Sequence, residues 1–152
     1  MPIPKEGETF RLLNYATNNV LVANKGTGNE GALTAYNRNT VYQDQIFELV
    51  SRSDGTFYIQ AFHINMNGVY GRIFSIMDNV GMKYEYSGNE SLRFTFEEGS
   101  SNRAGWYRLV TPAYNLVLTG KPWNYHADGE KYDDQYFKFE TDYGEVTKSA
   151  DA

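Results

Sequence analysis

The chain has 152 residues and a mass of 17.4 kDa, the size of one domain with its own core. A net charge of -5 and a pI near 5.0 lack the basic footprint that phosphate backbones and anionic surfaces select, so nucleic acid is not an expected partner. Without cysteine there is no disulfide, thiolate nucleophile or Cys-bearing metal site, and no apolar run approaches the roughly 20 residues of a membrane-crossing helix, so no membrane insertion is expected.

The opening Met1-Pro2-Ile3-Pro4-Lys5-Glu6 has neither the basic nor the apolar stretch of a signal peptide, from which a cytoplasmic or leaderless secreted product is expected. In such a product Asn89-Glu90-Ser91 is a chance match to a glycosylation acceptor. Aromatic residues are abundant: 13 Tyr, 9 Phe and 2 Trp, beside 14 Gly. Aromatic side chains suit pleated, half-buried surfaces and glycine supplies turns, so the composition indicates β structure.

In chain order, period-2 alternation predicts strands near 9–14, 20–24, 32–36 and 45–50, then 56–61, 68–72, 82–86 and 92–97, then 106–111, 116–120, 123–126 and 135–140. These form three units. Phe10-Arg11-Leu12, Phe57-Tyr58-Ile59 and Tyr107-Arg108-Leu109 open them at spacings of 47 and 50 residues. Strands centred on Phe47, Phe94 and Phe137 close them, 47 and 43 residues apart. A shift of 97 residues also lays Ala16 on Ala113, Asn18 on Asn115, Val20 on Val117 and Leu21 on Leu118. Three units of four short strands predict an all-β fold, the β-trefoil, in which units that cannot bury an apolar face alone close a common barrel. The repeats span about 8–54, 55–104 and 105–141 of a single domain, and the polar tail 142–152 is expected to fray.

Three stretches carry a resemblance: Thr9-Phe10-Arg11-Leu12-Leu13, Tyr107-Arg108-Leu109-Val110, and His126 followed by Asp133-Asp134-Gln135-Tyr136-Phe137. Over about residues 8–141 the chain resembles the ricin-B-like β-trefoil lectins of the mushroom branch, with Gln-x-Phe where ricin-type chains carry Gln-x-Trp. The resemblance implies a non-enzymatic protein that binds glycans of galactose or mannose type. It also extends to the lectin-like light subunit of mushroom tyrosinase, which implies an alternative: a subunit without sugar binding that associates with a larger enzyme. A third class, the trefoil protease inhibitor, has no recognisable reactive loop here.

Neutral sugars present C–H faces and rings of hydroxyls, so a site needs an aromatic platform beside fixed carboxylate, amide or imidazole groups. The resemblance places these in the third repeat. Tyr125, ten positions before Gln135, takes the platform position, with His126 next to it, Asp134 as the polar ligand, and Lys121 in the turn where ricin-type sites carry an Asp. In the first repeat Asp44 and Gln45 recur, but the platform position is Ala35, with Tyr36 beside it, which implies a weaker or displaced site. The second repeat has Ser91-Leu92 for Asp-Gln and Met82 for the platform, which implies a lost site. Each residue also has a structural reading: Gln45 and Gln135 can tie a turn to its neighbour, Tyr125 and Trp123 can fill the core, and His126 can simply be solvated.

Enzymatic readings find little support. His63 and His126 are the only histidines, and no Ser-elbow, His-Glu-x-x-His or glycine-rich phosphate loop occurs. Neighbours on a strand point to opposite faces, so neither Glu97-Glu98 nor Asp133-Asp134 makes a paired carboxylate site. Asp128-Gly129-Glu130 with Asp133 lacks the ligand spacing of a calcium loop. No cofactor or metal is expected.

Overall fold

Phe10 stands opposite Phe47, Phe57 opposite Phe94, and Tyr107 opposite Phe137, each time joining the first and last strands of a repeat. Two residues further along, the partners belong to neighbouring repeats: Leu12 faces Phe139, Ile59 faces Leu49 and Leu109 faces Phe96. The same register therefore recurs three times around one axis, and the equivalences expected from spacing hold. The fold is a β-trefoil.

The computed structural model describes residues 3–24, 30–66, 69–77, 81–85, 93–112, 115–120, 125–127 and 129–148. Their strands are β1 (Thr9–Asn14), β2 (Asn19–Asn24), β3 (Glu30–Asn37) and β4 (Phe47–Ser51), then β5 (Phe57–Met66), β6 (Val69–Met77), β7 (Gly81–Glu85) and β8 (Thr95–Glu98), and finally β9 (Tyr107–Thr111), β10 (Leu116–Leu118), β11 (Tyr125–Ala127) and β12 (Tyr136–Glu140). Six of them close a ring, β1–β4–β5–β8–β9–β12 and back to β1, in which β5 and β8 meet through the Phe57–Phe94 bridge. The others pair as hairpins, β2 with β3, β6 with β7 and β10 with β11, and β3 also pairs with β7.

Alternation explains the core. Phe10 and Leu12 on β1, Phe47 and Leu49 on β4, and Phe137 and Phe139 on β12 turn inward, and all are sealed from solvent. Their rings meet edge to face, Phe10 against Phe139 at 5.0 Å and Phe96 against Phe139 at 5.1 Å, while Phe57 stacks on Phe96. Each such pair contributes about 0.5–1.5 kcal/mol beyond the burial of its area. The turns also repeat: Asn18 and Asn115 both have φ near +55°, and each returns its backbone N–H to the carbonyl four residues earlier. Asparagine tolerates this left-handed conformation better than other side-chain-bearing residues.

Three expectations change. The strands expected over 56–61 and 68–72 run on to Met66 and Met77, because the β5–β6 register shifts between Gln60 and Asn65 and such a bulge interrupts period-2 alternation. The last expected strand of the first and third repeats starts later, since Gln43–Gln45 and Asp133–Gln135 wind into 3-10 turns. The tail expected to fray is tied down as far as Thr147. Thr147 accepts from Gln43 N at 3.0 Å and donates to Val41 O at 2.6 Å, and the Tyr143 hydroxyl lies 2.5 Å from Thr9 Oγ1. Residues 41–43 lie outside the strand ladders, and the tail satisfies backbone groups there.

Candidate carbohydrate site

Gln45 and Gln135 sit at equivalent 3-10 turns, and both are fully buried. Gln135 Oε1 accepts from Arg108 Nε at 3.2 Å and from Tyr132 N at 3.3 Å; Gln45 Oε1 accepts from Arg11 Nη1 at 3.1 Å and from Tyr42 N at 3.3 Å. Neither amide faces solvent, which corrects their assignment as sugar ligands: they hold the turn that presents the preceding aspartate.

The two arginines escaped the sequence reading. Arg11 and Arg108 are buried at equivalent positions of β1 and β9, and each also reaches a carboxylate of the preceding repeat around the ring. Arg11 pairs with Glu140 at 2.6 Å and Arg108 with Glu97 at 3.1 Å. The Lys131 ammonium, 2.8 Å away, and the Arg108 guanidinium hold the Glu97 carboxyl below the usual carboxylate range. In the second repeat the corresponding residues are Tyr58 and Val50, which pair across β4 and β5, and Leu92, which lies outside the described residues. The signal was present: Arg, Gln and an acid of the neighbouring repeat recur for the first and third repeats and are replaced together for the second.

Asp134 follows from this scaffold. Its backbone carbonyl accepts from Gly120 N at 2.8 Å and from Asn14 Nδ2 at 2.9 Å, while Asn14 Oδ1 accepts from Ala16 N and Thr17 N. Gly120 is required by this close approach, because a Cβ there would stand 2.8 Å from the Asn14 side chain. The Asp134 carboxylate is half-buried and makes no hydrogen bond or ion pair among the described residues. Asp133 beside it is exposed and bound to Arg103, whose guanidinium lies 4.5 Å over the Tyr136 ring.

The β10–β11 register puts Tyr125 opposite Leu118 and His126 opposite Val117. Tyr125 thus flanks the end of the hairpin whose far side, at Gly120, is bonded to Asp134. In the first repeat the matching register sets Ala35 opposite Leu21 and Tyr36 opposite Val20, so Ala35 occupies the Tyr125 position and Tyr36 that of His126. Tyr36 is exposed, with its ring 6.5 Å from that of Tyr42, and Asp44 is half-buried on the adjoining turn. In the second repeat Met82 pairs with Ile76 on β7 and β6. Lys121 and Trp123 lie outside the described residues. Among the described residues no three metal-ligating side chains converge, and no helix is long and apolar enough to cross a membrane.

No family model matches the chain, and no curated protein matches it in sequence. Solved structures do match. The apo form of a β-trefoil called BEL is 24% identical, with 91% of this chain and 96% of that one covered at a TM-score of 0.71. The ricin B-like lectin of Macrolepiota procera in complex with lactose is 12% identical, covering 91% and 99% at 0.66. SeviL bound to asialo-GM1 saccharide is 13% identical, covering 89% and 98% at 0.66. The likeness runs through the whole trefoil.

Proposed function

We propose that this chain is a non-enzymatic lectin that binds galactose-type or mannose-type glycans through its third repeat. The observation that carries the reading is the Asp134 carboxylate, anchored through its own backbone and left without a side-chain partner among the described residues. A carboxylate fixed in this way accepts hydrogen bonds from two adjacent sugar hydroxyls without first giving up a protein partner. Tyr125 supplies the ring on which the C–H face rests, and His126 and Lys121 add polar contacts. Gln135 and Arg108 position the turn and do not touch the sugar. Similarity in fold to a lactose complex favours galactosides as the first probes.

The test is a broad glycan array followed by calorimetry. Affinity between about 1 μM and 1 mM is expected for a shallow polar site. Asp134→Ala removes a charged hydrogen bond and should weaken binding about ten- to a hundredfold. Tyr125→Ala should weaken it similarly, and Asp44→Ala less, since Ala35 leaves the first repeat without a platform. An array without any binder would end the lectin reading, while full binding by Asp134→Ala would remove this residue from the site.

A further inference from the structure

A groove of about 430 Å³ lies at the seam between the third and first repeats, and none of the candidate repeat-site residues lines it. This is within the roughly 300–1,000 Å³ of small-ligand clefts. Its floor is β12 and the start of the tail, Lys138 to Asp142, and its walls are Trp106 on one side and Asn18 and Arg38 on the other.

The charges in the groove are divided into used and unused groups. Both Glu140 oxygens are engaged, Oε1 by Arg11 at 2.6 Å and Oε2 by Arg38 at 3.0 Å, and Arg38 Nη1 also donates to Asn18 Oδ1 at 3.2 Å. Lys138 and Asp142 have no ion-pair partner among the described residues, and the Lys138 ammonium stands 6.0 Å over the Trp106 ring. Trp106 is half-buried and braced from its other contact by Tyr15, ring to ring at 5.0 Å. The groove therefore offers an indole, with an ammonium and a carboxylate that have no ion-pair partner among the described residues. These two charges balance, which selects neither an anion nor a cation, and both groups are strong partners for hydroxyls.

The feature belongs to this seam alone. Where the third repeat has Trp106, the other two have Thr9 and Thr56; where it has Lys138, they have Glu48 and Thr95; where it has Asp142, they have Arg52 and Gly99. The barrel accommodates threonine at the tryptophan position twice, so closing the fold does not require an indole there.

We infer that this groove is a second saccharide subsite, off the threefold plan, which takes an uncharged, hydroxyl-rich sugar against Trp106 with Asp142 accepting and Lys138 donating hydrogen bonds. The assignment rests on the lectin reading and extends it to a site with different residues. It predicts that the groove and the third-repeat site fail independently.

The full chain, labelled with 15N, is titrated with lactose, mannose and N-acetylglucosamine, reading the Trp106 indole N–H and the amides of Asn18, Lys138 and Asp142. At least one sugar should shift these signals in the wild type and equally in Asp134→Ala, and Asp142→Asn or Lys138→Gln should weaken that response about tenfold while leaving shifts around Asp134 unchanged. Both side chains lack ion pairs among the described residues, and unchanged spectra elsewhere verify that each variant keeps the fold. Shifts confined to the surroundings of Asp134 and Asp44 would overturn the groove and leave the lectin reading intact. A groove response that persists undiminished in the Asp142→Asn, Lys138→Gln double variant would overturn it as well. No shift at either place would remove both.

Discussion

Asp134 and Gln135 are adjacent, yet one is half-buried at the surface and the other is sealed in the barrel wall. The contrast extends to the residues that hold them. Asn14 bonds the Asp134 carbonyl, two turn N–H groups and the Thr17 hydroxyl, so Asn14→Ala leaves two N–H groups and a hydroxyl to find new acceptors and the Asp134 carbonyl with Gly120 N alone. It should cost about 1–3 kcal/mol in chemical denaturation, whereas Asp134→Ala, which removes a carboxylate without a bond among the described residues, should change stability by no more than about 0.5 kcal/mol. Glu97 offers a pH readout. Lys131 and Arg108 depress its pKa in the folded state, so its contribution is complete above the unfolded carboxylate pKa and is lost as pH falls through the lower, folded value. Comparing melting of wild type and Glu97→Gln should show a gap at neutral pH that closes as pH falls below the ordinary carboxylate range. Because Glu97 is 44% exposed the gap should be at most about 1 kcal/mol, and salt should reduce it.

At the level of elements, two repeats join their strands with an Arg, Gln and carboxylate set and one does so with Tyr58 and Val50. A buried guanidinium is tolerated only while its partners remain. Gln135→Leu alone should destabilise by about 1–3 kcal/mol, because Arg108 loses a buried acceptor while keeping Glu97. Adding Arg108→Tyr and Glu97→Val copies the second repeat, and the triple variant should recover most of that loss in the same urea titration. A triple variant no more stable than Gln135→Leu would show that the two solutions are not interchangeable. These networks also show where sequence reading stops. The position of Gln135 could be read from its place before a strand, but its direction could not, because the residue lies in a 3-10 turn, where period-2 alternation does not apply. The tail was misread for a related reason. Thr147 carries no apolar signal, and what holds it is the unpaired backbone of Val41 and Gln43, which no side-chain pattern records.

For the molecule as a whole, the aromatic triplets were legible because threefold closure demands equivalent inward residues, and Phe47, Phe94 and Phe137 bury completely at the spacing read from the chain. The long β5–β6 hairpin was not legible, since its bulge breaks the alternation on which strand reading depends. The candidate site was half legible. Its aspartate and the tyrosine position follow from the repeat, while the seam groove depends on Trp106, Lys138 and Asp142, which break the repeat and have no counterpart to point to them.

Ring closure also has a consequence in time. β1 pairs with β12, and Arg11 finds its carboxylate 129 residues later, at Glu140. During synthesis the first strand therefore emerges with its β12-facing edge unpaired and its guanidinium held by water in place of Glu140, and both persist until β12 has also left the ribosome. Neither β2 nor β4 can relieve this, because their pairings with β1 leave the side facing β12 bare. Such distant closure places this chain among slow-folding topologies, on the order of milliseconds to seconds. The interval in which it is exposed to mispairing with another copy is thus set by its last strand, not its first.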